Sequence, residues 1–205
     1  ASGGGQTWEL AEALRLGKTR MVVIDPIRTD TLAGRDAEWV PIRPGTDVAL
    51  MLGWMRYIID QKIYDEDFVM HWTNLPYLVN VETKMLVRAK DLDPKGDEKT
   101  YVVWDKKTKS IKYPWDDALD PELDGEFEYQ GKKYKTGFRC LKERVEPWTL
   151  EATAKECWLD PKKIEEAIKI YADGPSGVSL GVATDQTPNS VQAAMGAVIL
   201  NALMG

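Results

Sequence analysis

Val22-Val23-Ile24-Asp25-Pro26-Ile27-Arg28-Thr29, followed by Trp39-Val40-Pro41-Ile42-Arg43-Pro44-Gly45-Thr46-Asp47, is the stretch that decides how this chain folds. The first half is an apolar, β-branched strand that ends on a carboxylate, where Pro26 turns the chain. Acidic residues at that position in open α/β sheets accept hydrogen bonds from the sugar hydroxyls of nucleotides. Arg28 and Thr29 follow as donors suited to phosphate. The second half repeats the logic: a short strand, a Pro-Gly turn, and Thr46-Asp47 at the start of an apolar helix, where backbone N–H groups favour anions and acceptors.

Working outward, the flanking periodicity is that of alternating helices and strands. Thr7–Leu16 places Trp8, Leu10, Ala11 and Leu14 on one helical face, and Gly17 ends it. Arg20–Asp25 is apolar on both faces, as a central parallel strand requires. A turn or short helix around Thr31–Arg35 leads to a strand over Trp39–Ile42. A helix then runs from Thr46 or Asp47 to about Gln61 with Val48, Leu52, Met55 and Ile59 aligned, and Asp65 starts a shorter one through His71. Strand and helix alternating through short links predict a Rossmann-like parallel sheet.

From about Leu75 to Pro147 the character changes to polar, turn-rich and alternating. Tyr101–Trp104 with Ser110–Tyr113, and Phe127–Tyr129 with Lys133–Lys135 around Gln130-Gly131-Lys132, predict two β-hairpins. This stretch is short of large apolar residues, so we expect an insertion in the α/β scaffold rather than a separate domain. Disorder is the alternative for Asp91–Lys99. After it the α/β pattern resumes. Thr149 caps a helix to Cys157, Asp160-Pro161 opens another with Ile164, Ala167, Ile168 and Tyr171 inward, and Gly174-Pro175 stops it. Gly177–Thr184 is expected to add a strand to the parallel sheet. Asn189 begins a last helix with Val191, Ala194, Met195, Val198 and Ala202 spaced along it. The expected fold class is therefore α/β, a three-layer Rossmann-like sandwich over residues 1–205 with a hairpin-bearing insertion at about 75–147.

Composition narrows the function. A net charge of −6 over 205 residues argues against nonspecific nucleic-acid binding, and the Lys106-Lys107 and Lys132-Lys133 pairs read as solvated hairpin faces. No apolar run is long enough for membrane insertion. The two cysteines, Cys140 and Cys157, are far apart and read as buried thiols rather than a disulfide. With one histidine, His71, a zinc site or an iron–sulfur cluster built from this chain alone would need unusual ligands, and a triad would have to run through His71. His71 reads as a core-edge or surface residue. Trp54, Trp72 and Trp158 sit in helical periodicity and read as core rather than as a stacking platform.

The pattern V-I-D-P-x-R-T, then W-V-P-I-R-P-G-T-D and an apolar helix, resembles the molybdopterin oxidoreductases of the dimethyl-sulfoxide-reductase type. The resemblance covers the first 75 residues or so and about 145–205. It implies a molybdopterin guanine dinucleotide cofactor carrying molybdenum or tungsten, with Asp25, Pro26, Ile27, Arg28 and Thr29 lining the guanosine and phosphate region. Gly45, Thr46 and Asp47 would hold the guanine edge. Many members carry Gln-His and a nearby Asn-Gly facing the pterin; here, in Val182 to Ser190, Gln186 and Asn189 are kept while Thr187 and Ser190 depart. Val182 and Gln186 are accordingly carried over as cofactor-contacting residues.

The resemblance further implies an excised third domain of a larger catalytic subunit; both ends look cut. The partners implied are an iron–sulfur electron-transfer subunit, with any cluster outside this segment, together with the remaining domains of the catalytic subunit. The Gln186-Thr187 pair resembles the branch with acetylene hydratase, pyrogallol transhydroxylase and catechol dehydroxylases. The compartment, cytoplasmic or exported, is left open. The residues also leave a capping role for Asp25, Asp47 and Asn189. Two rivals remain: a complete Rossmann-type enzyme, against which stands the lack of G-x-G-x-x-G after a strand, and a noncatalytic interaction domain built on the hairpins.

Overall fold

The computed structural model describes residues 4–28 and 37–205. The expected turn at Thr31–Arg35 and the site candidate Thr29 lie outside the described residues. The chain divides into two compact units, one made of Ala1–Ile63 with Pro147–Met204, the other of Tyr64–Glu146 with Gly205. The class is α/β.

In the first unit, helix α1 spans Gly4–Arg15, strand β1 Met21–Ile24 and strand β2 Ala37–Val40. The strands pair in parallel from Met21 opposite Ala37 to Ile24 opposite Val40. Helix α2, Asp47–Asp60, is the hub: α6 (Leu150–Cys157), α7 (Pro161–Ala172) and α9 (Ser190–Met204) all pack against it. That explains why α2 buries Leu50, Trp54, Met55, Ile58 and Ile59 over much of its circumference rather than along the single stripe expected. Helix α7 covers both strands, burying Ile164, Ala167, Ile168 and Tyr171 as its spacing predicts. Its start is set by Asp160, whose carboxylate accepts from Lys162 N at 2.8 Å, and by Pro161 at the first turn. Thr149 caps α6 in the same way, accepting from Ala152 N at 3.1 Å.

Two helices meet closely where Gly53 of α2 faces Thr153 of α6. A Cβ on Gly53 would stand 2.7 Å from Thr153 Cγ2, so only glycine permits this approach.

The strand expected over Gly177–Thr184 does not form. Residues 176–181 run without regular structure, and α8 (Val182–Asp185) follows. The reason is an amide on α9. Asn201 Oδ1 accepts from Val178 N at 2.8 Å and Asn201 Nδ2 donates to Val178 O at 3.5 Å, taking both ladder groups that a strand would offer a neighbour. Glycines at 177 and 181 remove the side chains that would favour a strand. Among the described residues, the parallel sheet therefore has two strands. The last helix also turns differently from the stripe read in the sequence: α9 buries Ala193, Gly196, Ala197, Leu200 and Leu203, leaving Val191, Met195 and Val198 exposed.

The second unit holds α3 (Glu66–Trp72), β3 (Leu78–Asn80), α4 (Ala89–Leu92), β4 (Val103–Asp105), β5 (Ser110–Lys112), β6 (Glu126–Tyr129), β7 (Lys132–Thr136) and α5 (Gly137–Val145). Its pairings are antiparallel, in the orders β3-β7-β6 and β4-β5. Both expected hairpins are present. In the β6–β7 turn Gln130 and Gly131 have φ of 51° and 73°, the double positive-φ pattern of a tight two-residue hairpin. Contrary to the expectation of few large apolar groups, Leu78, Val87, Val102 and Tyr134 form a buried cluster with Trp104 and Phe127 packed on it, their rings stacked at 4.4 Å. The stretch Asp91–Lys99 carries the end of α4 and turns fixed by Asp93 on Lys95 N, 2.9 Å, and Asp97 on Thr100 Oγ1, 2.6 Å.

Candidate cofactor edge

Parallel pairing sends the loops after β1 and β2 out of the same end of the sheet. Asp25 N donates to Val40 O at 3.2 Å, and Trp39 Nε1 donates to Asp25 O at 2.9 Å, so the turn after β1 is tied to the end of β2. Asp25 Oδ1 accepts from Ile27 N at 2.8 Å, which shapes the Asp25-Pro26-Ile27 turn as the capping reading requires. Pro26, Ile27 and Arg28 beyond it are exposed.

After β2, Arg43-Pro44-Gly45 turns into α2 with Gly45 at φ +80°, in the region only glycine enters freely. A Cβ there would meet nothing within 4 Å, so the turn faces open space. Thr46 is buried and donates its hydroxyl to Arg43 O at 2.7 Å. Among the described residues no side chain caps the first turn of α2, which leaves a helix N-terminus with Asp47 at its first position and no internal competitor for an acceptor group. Neither Thr46 nor Asp47 caps α2 through its side chain, although the sequence marks both as candidates.

Arg43, Glu156, Cys157 and Trp158 also build this edge, a role the sequence reading gave to none of them. Arg43 N donates to Cys157 O at 3.0 Å, Arg43 Nη1 meets Glu156 Oε1 at 3.1 Å, and the guanidinium lies over the Trp158 ring, 4.9 Å from its centroid. Cys157 Sγ donates to Thr46 O at 3.7 Å; burial pushes its thiol pKa up, which keeps it a neutral donor rather than a thiolate. Cys140 is partly buried rather than buried, and both cysteines are free. The signal that could have found this edge is Arg43 itself, one residue ahead of Pro-Gly-Thr-Asp. Trp158 and Trp72 correct the core reading, being 72 % and 75 % exposed, whereas Trp54 is buried. His71 is on the surface of α3.

Val182 lies exposed on α8 and Gln186 exposed just after it, in a segment that packs with α9. Thr184 Oγ1 donates to Gly181 O at 2.6 Å and Thr187 Oγ1 to Thr184 O at 3.1 Å, which shapes the turn leading into α9. A cleft of about 760 Å³ opens at the opposite end of β1 and β2, lined by Arg20, Glu38, Tyr57 and Lys169. Of these, Arg20 pairs with Asp173 at 3.5 Å, Glu38 with Lys163 at 2.6 Å and Lys169 with Glu165 at 2.7 Å. Nucleotides in open α/β folds gather at the carboxyl ends of parallel strands, which favours the Asp25–Asp47 edge over this cleft. Among the described residues, no three His, Cys, Asp or Glu side chains gather in a way that could hold a metal ion, and no helix is long and apolar enough to cross a membrane.

Comparison with known proteins gives this geometry a context. Over 171 residues the chain is 32 % identical to a putative dimethyl sulfoxide reductase catalytic subunit of Halobacterium salinarum, covering 82 % of this chain and 20 % of that protein. It is 39 % identical over 113 residues to the putative dimethyl sulfoxide reductase chain YnfE of Escherichia coli, covering 55 % of this chain and 13 % of that one. Acetylene hydratase from Pelobacter acetylenicus shares the fold with a TM-score of 0.61 at 26 % identity, over 97 % of this chain and 19 % of that structure. The chain thus spans about a fifth or less of the length of these relatives. The family model for molybdopterin oxidoreductase matches residues 7–204, and the chain belongs to the molybdopterin oxidoreductase family.

Proposed function

We propose that this chain is the part of a molybdenum or tungsten oxidoreductase that binds the guanosine and phosphate end of a molybdopterin guanine dinucleotide. The observation that carries the reading is the edge itself: two loops, one ending in Asp25 and one leading to Asp47, tied side by side at the carboxyl end of a parallel pair. The donor set fits the group. Arg28 supplies a cation for phosphate, Asp25 a ribose acceptor on the oxygen that does not hold Ile27 N, and the uncapped start of α2 supplies backbone donors. Asp47 presents a carboxylate to the ring N–H and amino groups of guanine, and Gly45 lets the base approach the backbone. Thr29 belongs to the same proposal, and Val182 and Gln186 are assigned to the pterin side. Bound there, the cofactor would supply the metal centre for oxygen-atom transfer, hydroxyl transfer or hydration. The chain's own share is to bind and orient the group.

The other domains of the catalytic subunit would supply the rest of the active site, while an iron–sulfur protein would pass electrons. The relatives' greater length supports the first of these partners. The test uses Asp47→Ala and Asp47→Asn in the intact catalytic subunit. Losing a charge-assisted pair of hydrogen bonds costs about 1.5–3 kcal/mol, so cofactor retention should weaken by roughly one to two orders of magnitude. Guanine nucleotide released by acid treatment measures it. Full retention in Asp47→Asn would end the guanine role.

A further inference from the structure

Trp158 follows α6 in the left-handed region, φ 59° and ψ 39°. That conformation penalises a bulky residue and suits a glycine. The side chain on this backbone is 72 % exposed, so it adds little to the core in return. Five other described non-glycine residues also have positive φ, so what sets Trp158 apart is its surroundings. Here the surroundings are specific. Arg43 covers one face of the indole at 4.9 Å and is itself fixed by Cys157 O at 3.0 Å and Glu156 Oε1 at 3.1 Å. Its carbonyl receives the Thr46 hydroxyl at 2.7 Å, which ties this platform to the start of α2. The Cys157 thiol, one residue before Trp158, donates to Thr46 O at 3.7 Å, so the ring and its cation are tied to the residue that precedes Asp47. Beside them Gly45 faces open space.

We propose that the free face of the Trp158 indole is the stacking surface for the purine base whose N–H edge meets Asp47, with Arg43 as the clamp that orients the ring. This rests on the cofactor-edge reading above and adds a base-stacking site to it. An aromatic face gives affinity for any base, while the carboxylate selects one that offers adjacent donors; the ligand class is therefore a guanosine nucleotide.

The test is calorimetric titration of the intact catalytic subunit, prepared without its cofactor, with GDP and with ADP, for wild type, Trp158→Gly, Trp158→Phe and Asp47→Asn. Wild type should prefer GDP. Trp158→Gly should raise the Kd for GDP about tenfold, with Tm unchanged or higher because glycine relieves the left-handed backbone. Trp158→Phe should bring Kd back to within about threefold of wild type, since a smaller ring still stacks. If Trp158→Gly also lowers Tm, the phenylalanine variant decides: rescue supports stacking, and no rescue overturns it. GDP affinity unchanged in Trp158→Gly but lost in Asp47→Asn overturns the stacking role alone. The same unchanged affinity is what an indole reserved for docking another protein segment would give. No GDP binding by wild type overturns both this inference and the cofactor-edge reading.

Discussion

The two units handle backbone direction in opposite ways. In the first, β1 and β2 run parallel, so the turns that follow both strands leave by one end and bring Asp25 beside the approach to Asp47. In the second, β3, β6 and β7 alternate in direction, and so do β4 and β5, which scatters successive turns to both ends of each sheet. A parallel pair needs a long crossover to return the chain and gains one edge rich in loops; antiparallel hairpins close locally and gain no such edge. The candidate edge belongs to the first unit, while in the second Trp104 and Phe127 stack in packing.

That comparison can be broken at several points. The largest effect is expected from Ile168→Ala. Ile168 is fully buried on the helix that covers both strands, and its truncation should cost about 2–5 kcal/mol. Hydrogen exchange should accelerate across α2, α6 and α7 while β6 and β7 keep their protection. Equal acceleration in both units would show that they share one cooperative core.

Next comes Gly53→Ala, where the added methyl meets Thr153 and forces α2 from α6. We expect a loss of about 1–3 kcal/mol in chemical denaturation; a neutral result would show that Thr153 can swing aside without disturbing the helix contact.

In the second unit, Gly131→Ala places a Cβ at φ 73° and should cost about 1 kcal/mol. The readout is the thermal midpoint together with amide exchange at Tyr129 and Lys132, and an unchanged hairpin would contradict the turn geometry.

The smallest effect is expected in the pH response. Asp105 is 2 % exposed and accepts from Thr108 Oγ1 at 2.6 Å, Asp120 N at 2.8 Å and Thr108 N at 2.7 Å. The Thr108 hydroxyl, then the two amides, hold its pKa down at about 2. A carboxyl depressed on folding stabilises the fold above its unfolded value of about 3.9, and that contribution fades as pH falls toward 2. Amide protection in β4 and β5 should therefore drop between about pH 4 and pH 2, and Asp105→Asn should flatten the dependence there. A variant as acid-sensitive as wild type would move the cause elsewhere.

Much of this architecture is legible in the sequence because its signals are local. Thr149 and Asp160 cap the helices that they are expected to start, Asp65 accepts from Phe68 N at 2.9 Å at the head of α3, and Gln130-Gly131 closes its hairpin. The strand order around Gly177–Thr184 is not legible, because the group that cancels it, Asn201, is 23 residues from Val178. The α5 helix is hidden by its position: Thr136 ends a strand and caps a helix at once, accepting from Arg139 N at 3.1 Å. At the candidate edge, Asp25 and Asp47 can be read from the chain. Trp158 cannot, since helical spacing alone does not distinguish an inward tryptophan from one placed outside by a left-handed residue at a helix end.

The Asn201 clip has a consequence for how this protein can diverge. A side-chain amide bonded to the N–H and C=O of one residue specifies a backbone position and says nothing about the side chains before or after it. The exposed positions Gly177, Ser179 and Gly181 can therefore exchange, provided that the N–H and C=O of Val178 still reach α9. Descendants of this chain could rewrite the approach to Val182 and Gln186, and with it the lining they present, while the helix beneath stays unaltered.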